Sequence, residues 1–300
     1  MKFVVTGGAG FIGNNICRLL LEKGHQVSII DNFNTGKKEN LDSIKDKIDI
    51  HVLDVRDKDK MESVINNADG IFHQAALANV FESFSRSDEY YDVNVNGTKN
   101  IFEIAKDNKI KVVFASSSSV YGEVNKIPIN ETFERNPIHP YGQTKLECEK
   151  LAELFSKEGV KIIGLRYFNV YGTGQNDTYA GVITKFLNNI KLDKSPKIFG
   201  DGTQTRDFVF VKDVAYANFC AMMSDVNFGF FNVGCNESIS ILQLAEMMIE
   251  KSGKKLKPEF KDPLKGDAQV SLADITEAKT KIQWHPKYKL EKWFEEEIFN

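Results

Sequence analysis

Tyr141 and Lys145 are the residues whose types and spacing most directly suggest chemistry. They stand four positions apart in Tyr141-Gly-Gln-Thr-Lys145, a spacing that places both side chains on one face of a helix. A free tyrosine has a pKa of about 10, but a neighbouring ammonium favours the phenolate and lowers that pKa. The pair therefore predicts a tyrosine that acts as a general base, although the same spacing also occurs in ordinary surface pairs.

Serines occupy positions 116 to 119, at the end of an apolar stretch that predicts a strand at 111–116. In open α/β sheets, ligands bind just beyond the carboxyl ends of parallel strands. A serine hydroxyl at that place can hydrogen-bond a substrate hydroxyl and relay its proton. Such a run alone would describe a loop, but beside Tyr141 and Lys145 it predicts part of a catalytic site.

Three glycines near the N-terminus, Gly7, Gly10 and Gly13, predict a site for a dinucleotide. They follow an apolar strand and open a helix, so the turn lets the backbone and the helix N-terminus approach a pyrophosphate. Asp31 ends the next predicted strand, where a carboxylate accepts hydrogen bonds from both adenosine ribose hydroxyls and repels a 2′-phosphate. The expected cofactor is therefore NAD rather than NADP.

The elements that must position these side chains alternate between strands and helices. Apolar patterns predict strands at 2–6, 26–31, 49–55, 70–73, 111–116 and 161–165, and helices at 11–23, 90–107 and 141–158. Several strands are apolar on both faces, which is typical of a buried parallel sheet. This order predicts an α/β fold, a Rossmann doubly wound parallel sheet.

The alternation weakens beyond residue 166. Helices are expected at 177–189 and 240–251, and short strands at 208–211 and 230–232. We predict an NAD-binding Rossmann domain over residues 1–165, to which 208–233 returns. A smaller α/β substrate-binding region is expected over 166–300, packed on the first without a flexible linker.

Composition and charge exclude several classes of protein. The 300 residues carry 39 Lys and Arg against 42 Asp and Glu, a net charge of −3, which argues against a general nucleic-acid binder. The four cysteines have no zinc-ligand spacing, so no metal site is expected. No apolar run approaches the roughly 20 residues of a membrane span, and no signal peptide is recognised. We expect a cytoplasmic protein with reduced thiols.

Further motifs run in order along almost the whole chain. They are Asp31-Asn-Phe-Asn-Thr-Gly, His73-Gln-Ala-Ala, Asn94-Val-Asn-Gly-Thr, Arg166-Tyr-Phe-Asn-Val-Tyr-Gly, Gly200-Asp-Gly-Thr-Gln-Thr-Arg-Asp207, Asn232-Val-Gly and Gly266-Asp267. Together with the glycines, the serines and the Tyr-Lys pair, they resemble the extended short-chain dehydrogenase/reductases. Within these enzymes the chain is similar to the UDP-glucose 4-epimerase family, which includes 4-epimerases of UDP-N-acetylglucosamine.

The resemblance implies site residues by position. The implied catalytic residues are Ser117, Tyr141 and Lys145. The implied contacts to NAD are Gly7, Gly10, Phe11, Ile12, Asp31, Asn32, Asp54, Val55, Ala75, Ala76, Leu77, Asn94, Tyr141, Lys145 and Tyr167. The implied contacts to the UDP-sugar are Ser117, Ser118, Ser119, Tyr141, Asn169, Val182, Phe199, Arg206, Asp267 and Ser271.

Two of these residues have structural alternatives. Asp54 would bind the adenine amino group, or it would cap the helix expected after Arg56. Arg206 would bind the diphosphate, because a guanidinium matches phosphate oxygens in charge and geometry. Its alternative is an ion pair with Asp201 or Asp207.

The implied reaction is an epimerisation without net oxidation. Tyr141 removes the proton of the sugar 4-hydroxyl while hydride passes from C4 to tightly bound NAD⁺. The 4-keto sugar then rotates about its link to UDP, and hydride returns to the other face. Lys145 would hold the nicotinamide ribose, and the positive nicotinamide ring would further favour the Tyr141 phenolate.

Related reactions on the same fold remain alternatives. Dehydratases and decarboxylases carry acidic residues directly after the catalytic Ser or Thr, where this chain has Ser118 and Ser119. Hexuronate 4-epimerases typically have Thr in place of Asn169. A non-catalytic sensor of NAD or nucleotide sugars would usually have lost the tyrosine that Tyr141 retains.

The chain departs from the family pattern at two positions. Leu264 stands where an Arg usually binds UDP, and Lys265 follows as a possible substitute. Ser271 stands where a large Tyr blocks N-acetylated sugars in some relatives, so UDP-GlcNAc and UDP-GalNAc are expected to fit beside UDP-glucose and UDP-galactose. The alternative is that Ser271 is a neutral small residue away from the sugar. Family members form homodimers through helices that match 90–107 and 141–158, and a homodimer is expected here.

Overall fold

The computed structural model describes residues 1–175, 181–263 and 269–298. The strands in chain order are β1 (Lys2–Thr6), β2 (Gln26–Ile30), β3 (Asp49–His51), β4 (Gly70–His73), β5 (Lys111–Ser117), β6 (Ile162–Tyr167), β7 (Asn169–Tyr171), β8 (Lys197–Phe199), β9 (Thr205–Phe210), β10 (Phe228–Val233), β11 (Ser238–Ser240) and β12 (Glu259–Lys261). The α-helices are α1 (Phe11–Glu22), α2 (Lys58–Ile65), α3 (Val80–Ser85), α4 (Ser87–Tyr91), α5 (Gly97–Asn108), α6 (Pro140–Lys157), α7 (Val182–Lys191), α8 (Val211–Met223), α9 (Ile241–Lys251), α10 (Thr276–Lys281) and α11 (Leu290–Trp293).

Seven strands form one parallel sheet in the order β10-β6-β5-β4-β1-β2-β3. The chain builds outward from β1 to β3 on one side and then crosses back to add β4, β5 and β6 on the other. The winding direction therefore reverses between β1 and β4, and a crevice opens beyond their carboxyl ends. The predicted doubly wound Rossmann sheet is confirmed.

Helices cover both faces of this sheet because successive side chains of a strand point to opposite faces. In β1, Phe3 and Val5 belong to a core shared with α1 and α8. Val4, between them, belongs to a second core shared with α2 and α5. Strands buried in this way must be apolar on both faces, which explains their continuous apolar sequence.

The second region is built from smaller sheets. Strand β9 lies between β7, to which it is parallel, and β11, to which it is antiparallel. Strands β8 and β12 pair in parallel. These elements pack with α7, α9 and α11 around a third core that includes Phe186, Leu244 and Trp293. Strand β10 instead pairs with β6 in the large sheet, and β6 continues past residue 165 to Tyr167.

The helix predicted at 90–107 is interrupted. Helix α4 ends at Tyr91, a π-helical turn spans Asp92–Asn96, and α5 begins at Gly97. A π turn accommodates an extra residue within a helix. Here it carries Asn94, whose side chain hydrogen-bonds the main chain of Leu77. The apolar periodicity on either side is helical and does not reveal the insertion.

Three predicted boundaries also differ. The strand expected at 49–55 ends at His51, because Asp54 begins a turn in which its carboxylate accepts the N–H of Arg56 at 2.9 Å. The strand expected at 208–211 is Thr205–Phe210, and α8 starts at Val211. The helix expected at 177–189 corresponds to α7, and its predicted first residues lie outside the described part. In the described segments, no helix is long and apolar enough to cross a membrane.

Candidate active site

The turn between β1 and α1 and the first turn of α1 need glycine at positions 7 and 13. Gly7 adopts a φ of +67°, and a Cβ at this residue would lie 2.7 Å from the Ala75 nitrogen. A Cβ on Gly13 would lie 2.1 Å from the Gly7 oxygen. The Gly10 N–H donates to the same oxygen at 3.0 Å. Without side chains here, the α1 N-terminus stays open to an anion, as a pyrophosphate requires.

A cavity of about 450 Å³ lies over this turn. Predicted cofactor contacts that line it are Gly7, Gly10, Phe11, Ile12, Asp31, Asn32, Val55, Ala75, Ala76 and Leu77. The structure therefore brings together most of the predicted set, although these residues come from four separate loops. The glycine turn and the acidic group at the end of β2 fit a dinucleotide.

Asp31 is held in a fixed orientation. Its carboxylate accepts the N–H groups of Ala9, at 2.9 Å, and Phe33, at 2.8 Å. Burial raises the pKa of this carboxyl above its usual value, while the two backbone hydrogen bonds oppose the rise. Each oxygen accepts one hydrogen bond here and can accept another, so Asp31 can receive a hydroxyl of a bound ribose.

Asp54 and Asn94 are engaged elsewhere, and among the described residues they do not line this cavity. The Asp54 carboxylate accepts the Arg56 guanidinium at 2.8 and 2.9 Å and the Asn32 amide at 2.8 Å. The hydrogen bonds to Arg56 hold the pKa of this carboxyl well below its usual range. The alternative role as a helix cap is wrong, because Asp57 caps α2.

Asn94 positions the loop after β4 rather than facing the cavity. Its Oδ1 accepts the Leu77 N–H at 2.8 Å, and its Nδ2 donates to the Leu77 oxygen at 3.0 Å and to Thr144 Oγ1 at 3.0 Å. The side chain is 1% exposed. Its hydrogen bonds join the π turn to α6 and to a wall of the cavity.

A second cavity, of about 570 Å³, adjoins the first and shares Ile12, Ala78 and Gln175 with it. The predicted substrate contacts that line it are Ser117, Ser118, Ser119, Tyr141, Asn169, Val182, Phe199, Arg206 and Ser271. Asp267, the remaining one, lies outside the described residues, as do Leu264 and Lys265. The residues in this cavity come from both regions of the chain.

Ser117, Tyr141 and Lys145 meet at the end of β5. Ser117 is the last residue of β5, and its side chain lies near Tyr141 at the wall of the second cavity. Lys145 lies one turn further along α6, with its Nζ 5.9 Å from the centre of the Tyr141 ring. Lys145 Nζ also donates to the Ala115 oxygen at 2.8 Å. The helix spacing thus brings the two side chains to one face, as predicted.

The lowering of the Tyr141 pKa expected from Lys145 together with a nicotinamide ring stays a prediction. Burial raises the pKa of Tyr141 to about 12, and the nearby Ser117 side chain opposes the rise. Burial also lowers the pKa of Lys145. Desolvation disfavours the charged form of both groups. A usable phenolate therefore needs additional positive charge.

Arg206 faces the second cavity from β9. Its Nη1 donates to the Thr205 oxygen at 2.7 Å, and the residue is 9% exposed. Within the described segments, Asp207 instead accepts backbone N–H groups from three residues. Asp201 accepts from Thr203. The alternative of an ion pair with either carboxylate is therefore wrong.

Tyr167 lines the second cavity, and its hydroxyl is fixed by hydrogen bonds to two buried or half-buried amide side chains. Its hydroxyl donates toward Gln74 Oε1 at 3.0 Å or Asn218 Oδ1 at 3.1 Å and accepts from Asn218 Nδ2 at 2.8 Å. Gln74 and Asn218 were not predicted, because they lie far from Tyr167 in sequence. Their amides leave the Tyr167 ring in one orientation at the cavity wall.

A buried charge network lies behind the strand ends. Glu149, on α6, is 0% exposed and accepts two hydrogen bonds from Arg166, both at 2.8 Å. It also accepts from Arg135 at 3.0 Å and from the Ser116 hydroxyl at 2.6 Å. Ser116 and Arg166 directly precede residues that line the second cavity, so the network ties α6 to the ends of β5 and β6.

Three residues of the second cavity with basic side chains were also missed by sequence reasoning: His139, Lys185 and Lys197. His139 carried a local signal, since a proline at the first position of a helix indicates that the preceding residue is its cap. Lys185 is on α7 and Lys197 on β8, and nothing in their spacing distinguishes them from surface lysines.

Comparison with known proteins agrees with this geometry. The family model described as the NAD dependent epimerase/dehydratase family matches residues 3–234. A UDP-glucose 4-epimerase of Thermotoga maritima, solved with UDP-glucose, has a TM-score of 0.94 at 35% identity, over 100% of this chain and 97% of that one. A UDP-N-acetylglucosamine 4-epimerase of Methanobrevibacter ruminantium, in complex with UDP-N-acetylmuramic acid, has a TM-score of 0.92 at 38% identity, over 99% and 95%.

A third structure is a UDP-glucuronic acid 4-epimerase of Bacillus cereus in complex with UDP-glucuronic acid and NAD. Its TM-score is 0.92 at 32% identity, over 99% of this chain and 98% of that one. The family match covers the glycine turn and the Ser-Tyr-Lys group. The three structures cover 99% to 100% of this chain. This chain therefore belongs to the NAD-dependent epimerase/dehydratase family, among the extended short-chain dehydrogenase/reductases related to UDP-glucose 4-epimerase, and its cofactor is NAD.

Proposed function

We propose that this enzyme interconverts C4 epimers of UDP-hexoses: UDP-glucose with UDP-galactose, and UDP-GlcNAc with UDP-GalNAc. The observation that carries the proposal is the Tyr141 phenol, beside Ser117 in one cavity and with Lys145 one turn away. The phenol lies in a cavity that adjoins the dinucleotide cavity. The 4-epimerases of UDP-sugars among the structural neighbours support this class of reaction.

The roles of the three residues follow from this arrangement. Tyr141 takes the proton of the sugar 4-hydroxyl, and Ser117 hydrogen-bonds both the phenol and the substrate oxygen and relays the proton. Lys145 stabilises the phenolate and holds the cofactor's nicotinamide ribose. NAD, when tightly bound, supplies hydride acceptance and return at C4. Because burial raises the pKa of Tyr141 to about 12, proton removal is expected to depend on the positive charge of the oxidised cofactor.

The UDP end of the substrate is assigned to the wall made by Val182, Phe199 and Arg206. A guanidinium suits a diphosphate in charge and geometry, and the two apolar side chains offer a surface for the uracil ring. Lys185 and Lys197 line the same cavity and add positive charge for a dianionic substrate. UDP is held there while the sugar turns near Tyr141.

Ser271 is the residue expected to set sugar selectivity. It lines the second cavity and is 8% exposed. A small side chain leaves volume that an N-acetyl group at C2 can occupy, and pockets discriminate strongly only when they fill that volume. We therefore infer that N-acetylated and plain sugars are both accepted.

Hexuronate 4-epimerisation is the second candidate reaction. It is favoured by the neighbour that binds UDP-glucuronic acid and by the cationic side chains in the cavity, whereas Asn169 stands where Thr would be expected. Dehydration or decarboxylation would need acidic groups where Ser118 and Ser119 line the cavity.

We further propose a homodimer that acts in galactose metabolism in the cytoplasm. Tyr91 and Leu154, on the helices expected at the dimer interface, are 48% and 57% exposed. All four cysteines are free thiols, which suits a reducing compartment. Of the segment 208–233 that was expected to return to the NAD-binding domain, residues 208–210 belong to β9 of the small sheet. In this proposal, residues 1–165 with the remaining residues 211–233 form the NAD-binding domain, and the rest of 166–300 binds the UDP-sugar.

The test is to incubate the purified protein, without added NAD, with UDP-galactose, UDP-GalNAc and UDP-galacturonate in parallel. Products are followed by NMR. We expect the C4 epimers of the first two substrates. Conversion of the uronate alone would support the second candidate, and loss of CO₂ would indicate decarboxylation. If adding NAD restores no turnover of any substrate, the proposal is wrong.

A further inference from the structure

His139 caps the helix that carries the candidate base. It is the N-cap residue of α6, and its ring Nδ1 accepts the Gly142 N–H at 2.9 Å. Pro140 is the first residue of the helix and Tyr141 the second, so the capped turn is the turn that holds the phenol. Histidine is an unusual residue here, because Ser, Thr, Asp and Asn are the preferred caps.

The cap hydrogen bond specifies the chemical state of the ring. A nitrogen that accepts an N–H must be unprotonated, so the ring is neutral and carries its proton on Nε2. Burial lowers the pKa of His139, which is consistent with a neutral ring. The ring also stacks on Tyr141, with the centroids 6.0 Å apart and the planes 10° from parallel.

The surroundings leave the first turn of α6 little freedom. A Cβ on Gly142 would lie 2.8 Å from the Ser119 oxygen, 3.0 Å from Pro137 Cβ and 3.2 Å from His139 Cε1. Tyr141 is the titratable group stacked against His139. The neighbouring turn of Ser118–Val120 carries no charged residue. The cationic groups lining the same cavity are Lys185, Lys197 and Arg206.

We propose that His139 is a positioning residue, whose neutral imidazole caps α6 and so holds the Tyr141 phenol where it can remove the substrate proton. This inference rests on the proposed epimerase function. Protonation puts an N–H on both ring nitrogens, so the ring can no longer accept from Gly142. It also places positive charge at the positive end of the helix dipole. Both effects release the cap in acid.

Three substitutions separate the cap from the ring contact. His139→Asn keeps a capping acceptor without a ring, His139→Phe keeps a ring without an acceptor, and His139→Ala has neither. We expect His139→Asn to retain kcat within about twofold. In the other two variants kcat should fall about tenfold, equivalent to about 1.4 kcal/mol, a loss typical of a missing N-cap. The KM for UDP-galactose should change less than kcat, since substrate binding is not the target.

Asp57→Ala is the matched control, because it removes the side-chain cap of α2 away from Tyr141 and should leave kcat unchanged. Turnover is measured from pH 5 to pH 9, with thermal unfolding of each variant as a check on folding. The wild type should show an acid inflection in kcat that His139→Asn lacks. An active Phe variant beside an impaired Asn variant would overturn the inference, as would three variants equal to the wild type. An inactive wild type would instead refute the proposed function, and the inference with it.

Discussion

Replacing Glu149 with glutamine removes a single negative charge from the centre of the buried network. The carboxylate is 0% exposed and joins two guanidinium groups, with Arg166 at 2.8 Å and Arg135 at 3.0 Å. Arg166 is itself 2% exposed and remains charged at any accessible pH. Glutamine has nearly the same shape, so the substitution changes the charge and one acceptor while preserving the packing.

The expected cost is large because the remaining charges are buried. Removing one partner of a buried ion pair typically destabilises a protein by about 3–5 kcal/mol, since the other charge loses its compensation. At either of its two possible positions, the glutamine NH₂ would face an N–H donor of Arg166. We therefore expect the free energy of unfolding to fall by about 3 kcal/mol or more, and the Tm by roughly 6 °C or more.

Urea and thermal denaturation of Glu149→Gln and the wild type, with bound cofactor content matched, provide the measurement. Glu103→Gln is the control, since Glu103 pairs with Lys58 at 2.8 Å but its side chain is 31% exposed. Exposed pairs contribute about 0–1 kcal/mol. If Glu149→Gln were destabilised no more than this control, the buried Glu149 carboxylate would not be needed to compensate the arginine charges and hold α6 against the sheet. That result would refute the reasoning.

Three further predictions concern chemistry, selectivity and pH. Tyr141→Phe should lower epimerisation of UDP-galactose by at least about 10²-fold while UDP affinity by calorimetry stays within about twofold; retained turnover would show that Tyr141 is not the base. Ser271→Tyr should lower the kcat/KM ratio of UDP-GalNAc to UDP-galactose by about tenfold or more, and an unchanged ratio would remove Ser271 from the selectivity argument. Burial raises the pKa of Asp207 to about 6 in the folded protein. Because the folded state then binds this proton more tightly than the unfolded state, the group's contribution to the free energy of unfolding is greatest below about pH 4 and is lost as pH rises through 6. The stability difference between the wild type and Asp207→Asn should follow that decline, and a difference independent of pH would contradict it.

Features that depend on short stretches of chain could be predicted from sequence. The turn at Gly7 and Gly13 follows from local backbone sterics, and the shared face of Tyr141 and Lys145 follows from helix geometry. The large sheet was predictable because its strands are apolar on both faces. The π turn at Asp92–Asn96 was not, since the hydrogen bonds of its Asn94 side chain are made with Leu77 in another loop.

The sequence predicts which residues form the candidate site better than it predicts their pKa values and hydrogen-bond partners. Sequence spacing places Tyr141 beside Lys145, but only their burial decides that the pKa of one rises and that of the other falls. Asp54 has the residue type expected of a cofactor contact, yet its carboxylate is taken by Arg56. Partner choice of this kind depends on which side chains are brought within reach, which no local pattern encodes.

The sequence by itself determined the alternation of strands and helices, the dinucleotide turn and the shared helix face of Tyr141 and Lys145, because each follows from a pattern within one or two neighbouring elements. The tertiary structure decided how the two cavities adjoin, that Glu149 compensates Arg166, and that His139 caps the helix of Tyr141 as a neutral ring. These last features depend on desolvation and on contacts between distant segments. Both arise only when the chain has packed.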